Sequence, residues 1–363
     1  MDSWTQGLLE WVHLFKPLYR LNYPSDDFTH RYALGPQDLI TVLGFVVGFT
    51  GLRALLLSKV LSKMARLCGV RKNRAQKRFA EQGYLLLYYS VYWTWGVYIL
   101  ARDTSDTLPP GQSLSIASFS ASLWTHYPRL VIDGHMKLYY LSQLAFWLQQ
   151  LVVIHLEERR KDHYQMLLHH VISVTLLFTS YGNRQFRPGN MVMVCMDVGD
   201  LLLSAAKILR YMGRQSACDA AFTVFTLTWI VTRHIVFLAI CHSLNLHFGG
   251  DTFPFGIYSL TLPPRQGPAE IISGRKMDDD GGHDIWRHLT QPFFYPNAET
   301  VANNPRIKTI FLGLMLALQS LLVLWFALIC RVIVNVLSGH GADDNRSDAE
   351  DEDDAGEKIS EKK

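Results

Sequence analysis

Seven apolar stretches, each about twenty residues long, recur along this chain and restrict its fold more than any other feature; they cover residues 39–57, 83–101, 138–156, 166–183, 188–212, 220–242 and 310–330. A helix of that length crosses a hydrocarbon core of about 30 Å. In lipid, only helices and closed barrels satisfy their own backbone groups. The runs are continuous and lack the period-two alternation of barrel strands, so they read as helices. The fold class is therefore an all-α polytopic membrane protein of about seven transmembrane helices. An apolar share of 49% and nine Trp and sixteen Tyr among 363 residues agree with this rather than with two or three soluble domains.

Charge orients the bundle. Eight Lys or Arg lie between Lys59 and Arg78, and this is the strongest positive-inside signal in the chain. It places the segment after the first span in the cytosol and the N-terminus in the lumen. Seven crossings then leave the C-terminus cytosolic. The loop Glu157–Gln165 returns positive charge to the cytosolic side, whereas Arg184 and Arg187, between the fourth and fifth spans, run mildly against the rule. The basic segment also suits anionic headgroups or acyl-CoA phosphates, although topology alone accounts for it. Residues 1–37 read as a luminal or interfacial segment in which LLEWVHLFKPLY can lie along the membrane. Residues 38–73 hold the first span and the basic loop, and 74–339 hold the remaining spans as one domain. Within it, 102–136 reads as a loop with a re-entrant piece near 114–123, and 244–306 as a non-cytosolic loop rich in Gly and Pro. The last segment, 340–363, is too acidic and too poor in apolar residues to fold alone. The one N-x-S/T sequon, at Asn345, tests the topology, because glycan there would make the tail luminal.

The formal charge of +3 gives no reason to expect nucleic acid. Five cysteines have neither paired nor metal-ligand spacing. No basic region followed by an apolar core and cleavage site opens the chain, so no cleaved signal peptide is expected.

The second, third and seventh spans contain no Asp, Glu, Lys or Arg, whereas the fifth carries Asp197, Asp200 and Lys207, and the sixth carries Arg233. An ionisable group at a helix centre costs roughly 2.5–3.5 kcal/mol on insertion scales, so several together mark a site. The fourth, fifth and sixth spans are expected to enclose a polar cavity, with the others as walls. The competing reading has these residues satisfying one another for structure. Asp197 and Asp200 are three apart and project from one helix face, with Lys207 seven further on near that face. His169 and His170 stand about 100° apart, so one can face a reacting atom while the other packs or holds it. An imidazole oriented by a carboxylate is an acid/base or nucleophilic pair. Adjacent histidines near a DxxD also suit Zn²⁺ or iron, yet His155, His163, His169 and His170 do not share a face, and no HExxH-like repeat is present. No metal or other cofactor is expected. Gln143, Gln149 and Gln150 in the third span read as hydrogen-bonding glue between helices, with substrate contact as the alternative.

At these residues the chain resembles ceramide synthases, the Lag-type members of the TLC-domain family. The resemblance is carried by His169-His170, Ser180-Tyr181, Asn183, Arg187, Gly189, Asp197, Asp200 and Ala206-Lys207, and by ERRKDHYQM before the histidines. Many animal members have His before the first Asp; here it is Met196, as in fungal-like sequences. The tail stretch Asp344–Glu350 resembles an element associated with dimerisation in animal members. The resemblance implies a TLC-domain bundle over 74–339 in the endoplasmic reticulum membrane. It also implies transfer of a fatty acyl group from acyl-CoA, as co-substrate, to the amine of a sphingoid base of the dihydrosphingosine or phytosphingosine type.

On that basis His169, His170, Asp197 and Asp200 are expected to be catalytic, with His169 taking the acyl group and a carboxylate orienting the ring. One-step transfer, with histidine only as general base, is the rival. Tyr181, Asn183, Lys207 and Arg233 are the candidate substrate-binding residues, together with Arg159, Arg160 and Lys161 for the CoA phosphates. A small single-span regulatory subunit and a homo- or heterodimer are among the partners the resemblance implies. The alternative function is a non-catalytic TLC-domain protein that binds or regulates lipids.

Overall fold

The computed structural model describes residues 21–25, 30–107, 115–156, 162–260 and 284–337. The interfacial stretch 8–19, Arg159, Arg160 and Lys161, and the acidic tail with Asn345 lie outside the described residues. The same holds for 261–283 of the long loop.

Seven long helices occupy the seven apolar stretches. Helix α1 is Gln37–Leu67, α2 is Asn73–Thr107, and a short α3, Ile116–Ser122, follows. Next come α4 (Gly134–Leu156), α5 (His163–Gly182), α6 (Phe186–Tyr211) and α7 (Gln215–His247). Two short helices, α8 (Ile285–Leu289) and α9 (Gln291–Phe294), precede α10, Pro305–Leu337. Three are long and apolar enough to cross a membrane: α1, α7 and the Pro305–Val334 part of α10. Of the other four, α5 carries His169 and His170 and α6 carries Asp197, Asp200 and Lys207, while Arg233 lies on α7.

Helix ends follow local chemistry. Asn304 caps α10, its Oδ1 accepting from Ile307 N–H at 2.9 Å, and Pro305 takes the first helical position, where no donor is needed. Gly213, at φ 72°, ends α6 in the left-handed conformation that a glycine adopts without strain. The basic stretch read as a loop after 57 is instead helical to Leu67. A π-helical turn at Leu56–Leu61 carries α1 onward, and Gly69, at φ 84°, breaks it. Lys and Arg are good helix formers, and nothing between Leu57 and Leu67 stops the winding. Among the described residues of 102–136, α2 runs on to Thr107, and α3 lies within the stretch 114–123 that the sequence singled out. Strand β1 (Arg31–Ala33) pairs antiparallel with β2 (Val131–Asp133), with Tyr32 opposite Ile132. In the long loop, β3 (Gly256–Ser259) pairs antiparallel with β4 (Thr300–Asn303).

Among the described residues two large apolar clusters hold the bundle, and a small third one gathers Ala65, Val70 and Phe79. Of the large two, one joins α1, α2 and α4, where Tyr88 stacks on Phe146 with centroids 3.4 Å apart and planes 10° from parallel. The other joins α7, α10 and the loop around Trp124 and Phe253. Buried charge ties the ends of these helices together. Lys137 Nζ lies 2.8 Å from Asp38 Oδ1, and neither side chain has any exposure. Lys137 also donates to the carbonyls of Asn22 and Ala33, and Tyr181 donates to Asp38 Oδ2 at 2.8 Å.

Arg184 and Arg187 are buried as well, which accounts for their conflict with the positive-inside pattern. Arg187 Nε is 2.5 Å from Asp103, and Arg184 donates to Gln291 and to the Arg129 carbonyl. These charges are part of the packed interior rather than of an exposed loop.

At the end of α5, Gly182 lets the backbone carbonyl of Leu289 approach to where a Cβ would sit. Gly182→Ala is therefore expected to cost about 1–3 kcal/mol. Thermal melting of the detergent-solubilised protein checks this against Gly48→Ala, a position with open space around it.

Candidate active site

Two cavities lie side by side within the bundle. The larger, about 230 Å³, carries the charged groups: His169, His170, Asp200, Lys207 and Arg233 line it, with Arg53, Glu81 and Asp162. The smaller, about 90 Å³, is almost wholly apolar, lined by Leu176, Val192, Met196, Phe311, Met315 and Leu318 among others, with Asp197 at one wall. Among the described residues, only Trp147 and His169 face both.

Helix α5 sets the two histidines apart, as adjacent helical positions must be. The ring of His169 lies between Trp147, at 5.3 Å and 73°, and Trp325, at 5.2 Å and 77°, both edge-on. Its Nδ1 is buried without a hydrogen-bond partner. His170 Nδ1 is 2.6 Å from the Met166 carbonyl. A carbonyl only accepts, so Nδ1 carries the proton, and in the neutral ring Nε2 keeps its lone pair. Both histidines are buried, and His170 faces the larger cavity alone.

Helix α6 sends its two carboxylates to different compartments. Asp197, 1% exposed, accepts from Gln143 Nε2 at 2.8 Å; Tyr88 donates to Gln143 Oε1 at 2.7 Å. This chain crosses α2, α4 and α6, so Gln143 does join helices, and through a catalytic candidate. Asp200 pairs with Arg233 at 2.9 Å, and the same Nη2 donates to the Met196 carbonyl at 2.8 Å. The guanidinium carbon lies 4.0 Å from the Trp229 ring centroid, a cation–π contact. Arg233 sits in a π-helical turn, Ile230–Val236, in the middle of α7. Its approach to α6 needs Gly199, where a Cβ would come within 3.1 Å of the guanidinium nitrogens.

His169, His170, Asp197, Asp200, Lys207 and Arg233 thus converge on the two cavities. The spacing argument did not foresee the division between carboxylates: Arg233, not Lys207, neutralises Asp200 directly. Among the described residues no hydrogen bond joins either imidazole to either carboxylate. Tyr181 and Asn183 line neither cavity; Tyr181 bonds Asp38, and Asn183 donates to the His288 carbonyl at 3.1 Å. They pack the end of α5 against its neighbours. Arg159, Arg160 and Lys161 lie outside the described residues. Reasoning from charge overlooked Trp147 and Trp325, whose only sequence signal was an aromatic residue inside an apolar run.

The arrangement offers a buried imidazole between a chamber lined by charged groups and an apolar one. That is a place for a molecule with a charged head and a long apolar tail to be held across a reactive nitrogen.

Comparison with known proteins agrees with this geometry. The TLC-domain family model, which unites TRAM, LAG1 and CLN8, matches residues 78–331. The chain is 40% identical over 329 residues to a sphingosine N-acyltransferase-like protein, ALT7, of Alternaria alternata, covering 90% of this chain and 70% of that protein. It is 36% identical over 334 residues to ceramide synthase FUM18 of Gibberella moniliformis, covering 91% and 72%. With sphingosine N-acyltransferase lag1 of Schizosaccharomyces pombe the identity is 32% over 348 residues, covering 96% and 76%. The chain is a fungal-like member of the TLC-domain family, in its Lag-type ceramide synthase branch.

Proposed function

We propose that this protein is a ceramide synthase that moves a fatty acyl group from acyl-CoA to the amine of a dihydrosphingosine- or phytosphingosine-type base, through an acyl-histidine at His169. The position of His169, facing both cavities, carries the reading. The larger cavity receives the thioester end of acyl-CoA, and the apolar one holds its chain. A ring nitrogen of His169 attacks the thioester carbonyl, the carbon–sulfur bond breaks, and the thiolate leaves with a proton. The sphingoid amine then attacks the acyl-imidazole, forming the amide bond and returning the imidazole. Asp200, held by Arg233, and His170 are placed to handle protons in the larger cavity. Asp197, fixed by Gln143, offers a carboxyl group to the other chamber, which His169 also lines. Lys207 and Arg53 give the larger cavity cationic groups, and Arg159, Arg160 and Lys161 are assigned to the CoA phosphates.

The seven long helices are assigned as membrane spans in the endoplasmic reticulum, with the N-terminus luminal and the tail cytosolic. The most apolar window of α1 is only 11% buried. That face is assigned to lipid or to a single-span regulatory subunit, and a homo- or heterodimer remains part of the proposal.

Intact-mass analysis after incubation with palmitoyl-CoA alone tests the covalent route. The wild type is expected to gain one acyl group and His169→Ala none. An unmodified wild type that still makes ceramide would replace the covalent route with the one-step mechanism. Failure to make ceramide from any acyl-CoA would remove the function.

A further inference from the structure

The apolar cavity has two recognisable ends. His169, Trp147 and Asp197 stand at one; at the other, α5 has reached Ser180, α7 has reached Leu244 and Phe248, and Trp124 closes the space. On α5 the lining runs from His169 to Ser180, eleven residues or about 16 Å at 1.5 Å per residue. Carbon–carbon bonds of about 1.52 Å at about 111° advance about 1.25 Å each along an extended chain, so this depth corresponds in length to about thirteen carbons beyond the reacting carbonyl.

Resting on the acyl-transfer reading above, we propose that Trp124 is the floor of the acyl chamber and sets the length of chain the enzyme accepts. The indole lies where the chain's terminal methyl would arrive, and it is held on several sides. Its Nε1 donates to Ser243 Oγ at 2.7 Å, and Ser120 donates to the same oxygen at 2.9 Å. The ring packs against Phe248 at 5.9 Å and Phe253 at 6.4 Å, and Trp124 is 3% exposed. The segment that carries it is braced as well. Arg187 donates to the Ser122 carbonyl and to Thr125 Oγ1, while its Nε is paired with Asp103. A loosely packed floor would yield to a longer chain. A large, flat ring with its hydrogen bond made and its backbone pinned must move as a unit, so it discriminates by length. Trp124 touches none of the reacting groups; it is a specificity residue.

The test uses the full-length protein in lipid nanodiscs, with dihydrosphingosine and saturated acyl-CoAs from about C14 to C26, reading product by mass spectrometry. Trp124→Ala leaves a void continuous with the chamber. Its preferred chain is expected to lengthen by about four carbons, with turnover on its own best substrate within about tenfold of wild type. Trp124→Phe keeps a ring but loses the donor, and should shift the optimum by about two carbons. It also carries the test if the alanine variant does not fold. Ser243→Ala frees the indole without shortening it, and is expected to broaden the profile towards longer chains. A folded Trp124→Ala with the wild-type length profile would overturn the assignment while leaving acyl transfer intact. A wild type inactive with every chain length would instead overturn the acyl-transfer reading, and the floor with it.

Discussion

His169→Ala is expected to lower ceramide formation by about 10⁴-fold or more while leaving the protein folded. Removing a covalent nucleophile eliminates a route, whereas removing a general base typically costs about 10²–10⁴-fold. The size of the loss therefore bears on the mechanism. The ring packs between Trp147 and Trp325, so the smaller side chain leaves a void but no unpaired charge, and the melting temperature should fall modestly. His170→Ala is expected to be milder, about 10²-fold, because that ring faces the larger cavity alone and its Nδ1 is committed to the Met166 carbonyl. Turnover on a common acyl-CoA, normalised to folded protein, separates the two. If His169→Ala kept more than a tenth of wild-type activity, the catalytic assignment would be wrong, whatever became of the family membership.

The second large effect concerns stability. Lys137→Met leaves Asp38 in a site with no exposure, and the loss of one partner of such a pair typically costs about 3–5 kcal/mol. It also removes the donor to the Asn22 and Ala33 carbonyls, so the segment before α1 loses its attachment to α4. Denaturation of the detergent-solubilised protein should show the loss. The double variant Lys137→Met with Asp38→Asn should recover a large part of it, since no buried charge then stands alone and Asn still accepts from Tyr181. If the double variant were no more stable than Lys137→Met, the cost would lie in the lost carbonyl contacts and not in the stranded carboxylate.

The long helices were legible because a run of about twenty apolar residues has few alternatives in lipid. Their ends were not, since α1 continues into the basic stretch and α7 and α10 exceed the apolar windows that revealed them. The depth of the histidines relative to the carboxylates depended on those ends. The structure places His169 beside one cavity with Asp200 and beside the other with Asp197.

The site was visible through charge: His169, His170, Asp197, Asp200, Lys207 and Arg233 stood out as costly residues in apolar surroundings. That same criterion missed what charge does not mark. Trp147 and Trp325 shape the space around His169 yet look like any aromatic in a membrane helix. Asp38 and Lys137 escaped notice because each sits at the margin of an apolar run, where a charge is ordinarily solvated. Tyr181 and Asn183, which the resemblance assigns to the substrate, line neither cavity and instead hydrogen-bond to Asp38 and to the His288 carbonyl. Arg233, a substrate-binding candidate by sequence, instead pairs with Asp200, and a helical wheel of ordinary pitch does not describe the turn that carries it.

That turn has a consequence for how α7 tolerates change. A π-helical turn is an α-helix with one residue to spare, so deleting a single residue between Ile230 and Val236 would let it relax to the common pitch. Everything beyond would keep its present phase relative to everything before, because the wider turn already absorbs the roughly 100° that one extra residue adds. Ser243 and Leu244 would stay against Trp124 and the apolar cavity, and Trp229 would stay where it is, while the turn that carries Arg233 would be rebuilt. The supernumerary residue thus serves the reach of Arg233 to Asp200, and its loss would release the clasped carboxylate while sparing the far half of the helix.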